Sequence, residues 1–467
     1  MKKIAALTTI VAGLASSCAA QEAINYASID AYLAETIAAD RPGCGVGVID
    51  EGGLSYERYR GLAEREHNIP LTEESVFEVA SISKQFTAFA VNLLVEDGKI
   101  SLEDPVSEYF PELPASADQM TVGQLLTHTS GVRDYLTLML YQGYRLPDYF
   151  DVEDILALLG RQQNTDFTPG EKQEYSNSGY VLLAELVARV SGLSLREFAQ
   201  QRMFGPLGMA HTVFYDDPMM IVPGRTYGYA PMENGDLGRD VSARGVVGDG
   251  GVFTTLGDLA KWDANFYDNK LGGGAALIER IETPATLADG EQTPIASGFF
   301  IRNYRGQRQV GHTGYYGGYK GLYSRYPDVH RSLIVLCNNE DYSPPRMARE
   351  LLSIMLAGHL EPAKERPPRP AEGDDDARTF SSRAIAPGRY YSEELDTYWE
   401  ISRENGDTRL RIPHGEPMAL KASGENILAP EDQWYALHVP AGRGEAKRFD
   451  VVYEDYSGIP FVKTDDD

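Results

Sequence analysis

Strand-forming patterns fall into two blocks near the ends of the first 360 residues of this sequence, with a long helical stretch between them, and this spacing limits the fold more than any other feature. Residues 28–40 place Ile29, Tyr32, Leu33 and Ile37 at helical spacing, and strand-like segments follow at 44–49 and 54–61. From about residue 101 to 245 the patterns are helical, as over 154–159 and 181–190. Strand signal returns after residue 294, at 297–304, 318–326 and the apolar run 332–336, and 348–359 reads as a closing helix. The two ends of this region must therefore build one sheet around an inserted helical lobe.

A second boundary follows. Residues 361–385 hold Pro362, Pro367, Pro368, Pro370 and the run Asp374-Asp375-Asp376, the composition of an extended linker with few contacts to its neighbours. Beyond it, strand-like stretches at 398–402, 409–412 and 449–453 are separated by turn signals such as Asn405-Gly406, so 386–467 reads as a small β domain. At 467 residues and 42% hydrophobic, the chain is long enough for a large domain of about 21–360 and this smaller one.

The start has the layout of a secretory signal over residues 1–20: Lys2-Lys3, an apolar run from Ile4 to Ala15, then small residues to Ala20. Cleavage after Ala20 releases a soluble periplasmic or secreted protein, whereas Ala15-Ser16-Ser17-Cys18 resembles a lipobox and would leave a lipid anchor on Cys18. No later segment has the length and apolarity of a transmembrane span. Loss of 1–20 removes two lysines and no acids, moving the formal net charge from −26 to −28. A chain this acidic, without a basic stripe, argues against nucleic acid as a partner. Cys44 and Cys337 remain after cleavage; the expectation is two buried free thiols, with a single disulfide as the alternative. No Cys-x-x-Cys, His-Glu-x-x-His or Walker-type pattern points to a metal or nucleotide cofactor.

Ser81-Ile82-Ser83-Lys84 sets a hydroxyl and an amine three residues apart, on one face of a helix if it is helical. Lysine can serve as a base only if burial or a nearby cation lowers its pKa, and Phe77, Phe86 and Phe89 offer apolar surroundings; Glu78 would oppose this if it came close. Behind Ser81, the residues Ile82, Phe86, Phe89, Ala90 and Leu93 repeat at helical spacing, a buried stripe. Alone, Ser-x-x-Lys also describes an ordinary helix start with Ser81 as N-cap. Two further elements follow in order: Tyr175-Ser176-Asn177, and Gly311-His312-Thr313-Gly314 at the head of a strand-like segment.

In that order, Ser-x-x-Lys, Tyr-x-Asn and His-Thr-Gly resemble the active-site elements of the serine β-lactamase and D,D-peptidase superfamily. Residues 79–87, 125–131, Pro206-Leu207-Gly208-Met209 and 250–255 are similar to its β-lactamase-related, class C-like branch, so the likeness runs from about 28 to 360. It implies an α+β fold, an antiparallel sheet flanked by helices beside an all-helical lobe, and a penicillin-binding-protein-like serine hydrolase. By matching position it makes Ser81 the nucleophile, Lys84 the general base and Tyr175 the proton relay to the leaving atom. Asn177 would hold the substrate amide, His312, Thr313 and Gly314 would line the substrate edge, and the N–H groups of Ser81 and Tyr315 would form the oxyanion hole.

The implied reaction is acyl transfer to water on a small peptide or amide, as in D,D-carboxypeptidases and D-peptidases; a carboxylesterase, a β-lactamase, or a penicillin-binding or sensor protein that acylates and stalls are the alternatives. Most β-lactamases carry lysine where His312 stands, and an unperturbed imidazole titrating near ~6.5 would lose its charge under mildly alkaline conditions. His128 is expected to hold backbone, Trp262 and Trp399 to be core, and Glu171 and Glu174 to be solvated loop charges. The terminal β domain resembles the lipocalin-like barrels of some related peptidases. Oligomeric state is left open.

Overall fold

The computed structural model describes residues 23–363 and 384–464, apart from 146–147, 233, 405, 425, 431–432, 434, 443 and 453–457. The signal-like segment with Cys18 and most of the proline-rich break lie outside the described residues. A seven-stranded antiparallel sheet is built from both ends of the first region, as the spacing of strand signal requires. Its strands are β1 (Cys44–Asp50), β2 (Gly53–Arg60), β3 (Ile295–Ala296), β4 (Phe299–Tyr304), β5 (Gln307–Tyr316), β6 (Tyr319–Tyr326) and β7 (Arg331–Cys337), in the order β3-β4-β5-β6-β7-β1-β2.

Each face of the sheet has its own cover. Alternation in β1 turns Val46 and Val48 to one face, where helices α1 (Tyr26–Thr36) and α5 (Pro344–Met355) bring Ile29, Leu33, Leu351 and Met355 against them. Gly45 and Gly47 lie between, where Leu256 closes on the opposite face. Cys44 pairs directly with Cys337 across β1 and β7, and the two are joined by a disulfide. This corrects the expectation of free thiols: the antiparallel closure sets residues from opposite ends of the sequence side by side.

Ser81 lies in the 3₁₀ turn Ala80–Ser83, and α2 (Lys84–Glu96) follows it. Every residue of α2 from Lys84 to Leu94 is buried, so the apolar stripe expands to all faces; Phe86 and Phe89 pack on Trp262 at 4.6 and 5.1 Å. Each fully buried phenylalanine here contributes about 1.5–3 kcal/mol. The inserted lobe carries α3 (Tyr135–Gln142) and α4 (Asn177–Ser191). It is not helical throughout: short strands at Val213–Phe214, Tyr229–Pro231 and Leu237–Arg239 occupy its last third, the latter two forming a hairpin across Asn234-Gly235. Among the described residues no single helix is long and apolar enough to cross a membrane.

Beyond the break, eight strands from Gly388–Ser392 to Ile459–Lys463 close into an antiparallel barrel. Trp399 is buried among Phe449, Phe461 and Tyr435, and its indole N–H leaves the barrel to donate to the carbonyl of Tyr141 on α3 at 2.8 Å. Arg133 forms a buried ion pair with Glu394, whose carbonyl also accepts from Gln162 at 2.9 Å. The linker composition suggested few shared contacts; instead barrel and lobe share one continuous apolar core.

Candidate active site

Three elements converge on Ser81. The turn carrying it packs against β5, and Gly314 permits this: a Cβ there would stand 2.2 Å from the carbonyl oxygen of Val79. Across β5 and β6 the pairs Thr313–Leu322, Gly314–Gly321 and Tyr315–Lys320 fix the strand's register. Ser81, Tyr175, His312, Thr313, Gly314 and Tyr315 line one cleft of about 420 Å³.

Lys84 occupies the centre, fully buried. Its Nζ stands 3.4 Å from Ser81 Oγ and donates to Asn177 Oδ1 at 2.8 Å and to the carbonyl of Asp249 at 2.6 Å. The Tyr175 ring lies 4.8 Å from the ammonium. Burial lowers the Lys84 pKa to about 8; Asp249 and Asp134 pull it back up, and Arg244 assists the lowering. Arg244 in turn pairs with Glu78 at 3.0 Å and Asp249 at 3.5 Å. Glu78 therefore spends its charge on Arg244.

Asn177 begins α4, and its N–H donates to Asp134 Oδ2 at 2.6 Å, while Asp134 Oδ1 caps α3 through the N–H groups of Leu136 and Thr137. Tyr175 is held from the side by His128, whose ring stacks on it at 4.4 Å. His128 Nδ1 accepts from Ser176 N at 3.1 Å, and its carbonyl accepts from Glu174 N at 2.9 Å, the backbone-holding role expected of it. Burial raises the Tyr175 pKa, partly offset by the Ser81 hydroxyl, so the phenol keeps its proton.

His312 departs from expectation. It is buried, its Nδ1 faces the Thr313 carbonyl at 2.5 Å, and burial, then Lys84, depress its pKa to about 3. The ring is neutral across the working range, with Nδ1–H donating and Nε2 left as an acceptor. It cannot supply the titrating cation that its type suggests. Ser83 is likewise excluded from the cleft: it is buried and its Oγ accepts from Val252 N at 3.0 Å.

The sequence reading missed Asp134, Tyr135, Arg244 and Asp249. Tyr135 donates to Asp249 at 3.0 Å, completing a buried polar network next to the lysine. Asp134 precedes an apolar helical run as an N-cap should, which was a usable signal. Asp249 adjoins Gly250-Gly251, but Arg244 is identifiable only in space.

Such a site can deprotonate a half-buried serine hydroxyl and hold a carbonyl between a turn and a strand edge. The beta-lactamase family model matches residues 29–357. Penicillin-binding protein 4* of Bacillus subtilis is 30% identical over 451 residues, covering 92% of this chain and 97% of the relative. A D-aminopeptidase of Cereibacter sphaeroides is 29% identical, covering 70% of this chain and 62% of that protein; the chain spans about three fifths of the length of the D-aminopeptidases it matches. Among solved structures, the octameric penicillin-binding protein homologue from Pyrococcus abyssi superimposes with a TM-score of 0.62 at 25% identity, over 94% of this chain and 99% of that one.

Proposed function

The chain belongs to the beta-lactamase family and is a serine hydrolase of that superfamily's peptidase and amidase kind; from that premise we propose that it is an exported D-peptidase or D,D-carboxypeptidase working through an acyl-Ser81 intermediate. The observation that carries this reading is Lys84 Nζ, buried and pKa-lowered, 3.4 Å from Ser81 Oγ.

In the proposed cycle the neutral fraction of Lys84 takes the Ser81 proton as Oγ attacks the substrate carbonyl carbon. The N–H groups of Ser81 and Tyr315 receive the oxyanion. Tyr175 passes a proton to the leaving nitrogen as the C–N bond breaks, and is reprotonated from Lys84. Water then repeats the sequence on the acyl-enzyme, returning Ser81. Asn177 orients Lys84 through Oδ1, while its side chain also hydrogen-bonds the carboxylate of Asp134. Thr313, exposed on β5, supplies the edge along which the substrate lies, with neutral His312 behind it as a polar wall.

Export is supported by the signal-like start and by the Cys44–Cys337 disulfide, a bond favoured in oxidising compartments. The test is to offer the purified protein D-amino-acid peptides and amides, short acyl esters and a chromogenic cephalosporin, with intact-mass detection of an adduct on Ser81. Turnover of the D-peptides with a transient acyl adduct is expected. Preference for esters would replace the reading with a carboxylesterase, and a stoichiometric burst without turnover would replace it with a stalled penicillin-binding protein.

A further inference from the structure

A second cavity of about 360 Å³ adjoins the catalytic cleft and shares Tyr315 with it. Its walls are mostly apolar: Leu136, Met139, Tyr144, Phe150 and the two tyrosines that end β5, Tyr315 and Tyr316. At its border Leu140 is 51% and Tyr315 60% exposed. Scattered exposed leucines are unremarkable, but apolar side chains gathered at a cavity beside a reactive serine mark a ligand site.

The positions of the site residues give this cavity a direction. Tyr175 lines the cleft but not the cavity, and its ring lies 5.9 Å from that of His312, which likewise lines the cleft but not the cavity. In the reading above Tyr175 protonates the leaving nitrogen, so the leaving group lies at the His312 end of β5. The acyl portion of a substrate laid along β5 then falls at the Tyr315 end. From this geometry we infer that the cavity is the acyl side-chain pocket, and that the enzyme selects substrates whose acyl residue bears a bulky apolar or aromatic side chain. This inference rests on the Ser81 and Tyr175 roles proposed above.

The pocket is pre-formed. Met139 and Leu140 lie three and four residues after Leu136 on α3, whose cap Asp134 also holds the N–H of Asn177, so pocket wall and catalytic lobe are set by one carboxylate. Its polar lining tells against an acidic occupant. Asp240 and Glu340 border it, and the guanidinium of Arg145 is already engaged by Asp148 at 3.1 Å.

Three serine-directed phosphonates with benzyl, methyl or carboxymethyl groups at the acyl position test the inference, with second-order labelling rates of the full chain followed by intact mass. The benzyl probe is expected to label at least about tenfold faster than the methyl probe, and the carboxymethyl probe slowest. Leu140→Asp, at a half-exposed position, should bring the benzyl-to-methyl rate ratio close to one, and Leu140→Ala should lower that ratio by a smaller factor. Benzyl and methyl rates within twofold of each other in the parent, or a preference untouched by both variants, would overturn the pocket assignment alone. Failure of all three probes to label would overturn the Ser81 reading, and the inference with it.

Discussion

Arg244 lies 3.5 Å from Asp249, both buried, and the backbone carbonyl of that same Asp249 accepts the Lys84 ammonium at 2.6 Å. The carboxylate holds the lysine pKa up while the guanidinium holds it down. Removing Arg244 therefore favours charged Lys84. With a pKa of about 8, the lysine is mostly protonated at neutral pH, and activity that needs its free base rises as pH rises through about 8. In Arg244→Gln this rising limb of kcat/KM should move up by about one pH unit or more, and Arg244→Lys should move it less. Pairing Arg244→Gln with Glu78→Gln removes a stranded buried carboxylate and protects the fold. A limb unmoved in the folded variants would show that the network is structural only.

Ser81→Ala should abolish turnover and phosphonate labelling, whereas Ser83→Ala should retain labelling. Ser83 Oγ is occupied by Val252 N, so its loss should appear as about 1 kcal/mol of stability instead. Labelling of the Ser81→Ala protein at one defined residue would sink the nucleophile assignment.

His312 is neutral well above its folded pKa of about 3, so no imidazole titration should appear between pH 5 and 9. Activity on a carboxylate-bearing peptide and on a neutral ester should follow parallel pH profiles, both governed by Lys84. This reverses what residue type alone suggests. A selective fall in peptide activity as pH passes through the ordinary histidine range, absent in His312→Asn, would restore the imidazolium as the carboxylate partner.

Legibility of the fold tracked how locally each constraint acts. Strands β1, β2, β4, β6 and β7 and their flanking helices announced themselves because alternation and helical spacing are short-range, but β5 opens Gln307-Arg308-Gln309 with little apolar pattern, so its start was read only from Gly311-His312-Thr313-Gly314. The Ser81–Lys84 pair was readable because the two residues sit three apart. Residues that act through space were not: Arg244 reaches Glu78 and Asp249 only after folding, and Cys44 meets Cys337 only because β1 and β7 become neighbours. The neutral state of His312 was not legible, since burial beside Lys84, which depresses its pKa, is invisible to sequence.

The barrel is predicted to be part of the enzyme's stability. Arg133 is buried between Glu394 of the barrel and Asp166 of the lobe, and the residue after it, Asp134, caps α3 and holds Asn177. Glu394→Ala leaves a buried guanidinium short of a partner, a change that costs about 3–5 kcal/mol in comparable pairs. Melting temperature should fall by several degrees, with a smaller effect in Glu394→Gln, which keeps a hydrogen-bond acceptor. Because Asp134, which caps α3 and holds Asn177, is next in the chain, kcat should fall along with it, measured well below the new melting point. Ending the chain at residue 363 should be more severe still, exposing Tyr141 where Trp399 and Tyr435 pack on it and abolishing the cooperative melt. A truncated protein that melts cooperatively near the parent temperature and keeps its labelling rate would show that the shared core contributes little and that the linker composition was the better guide.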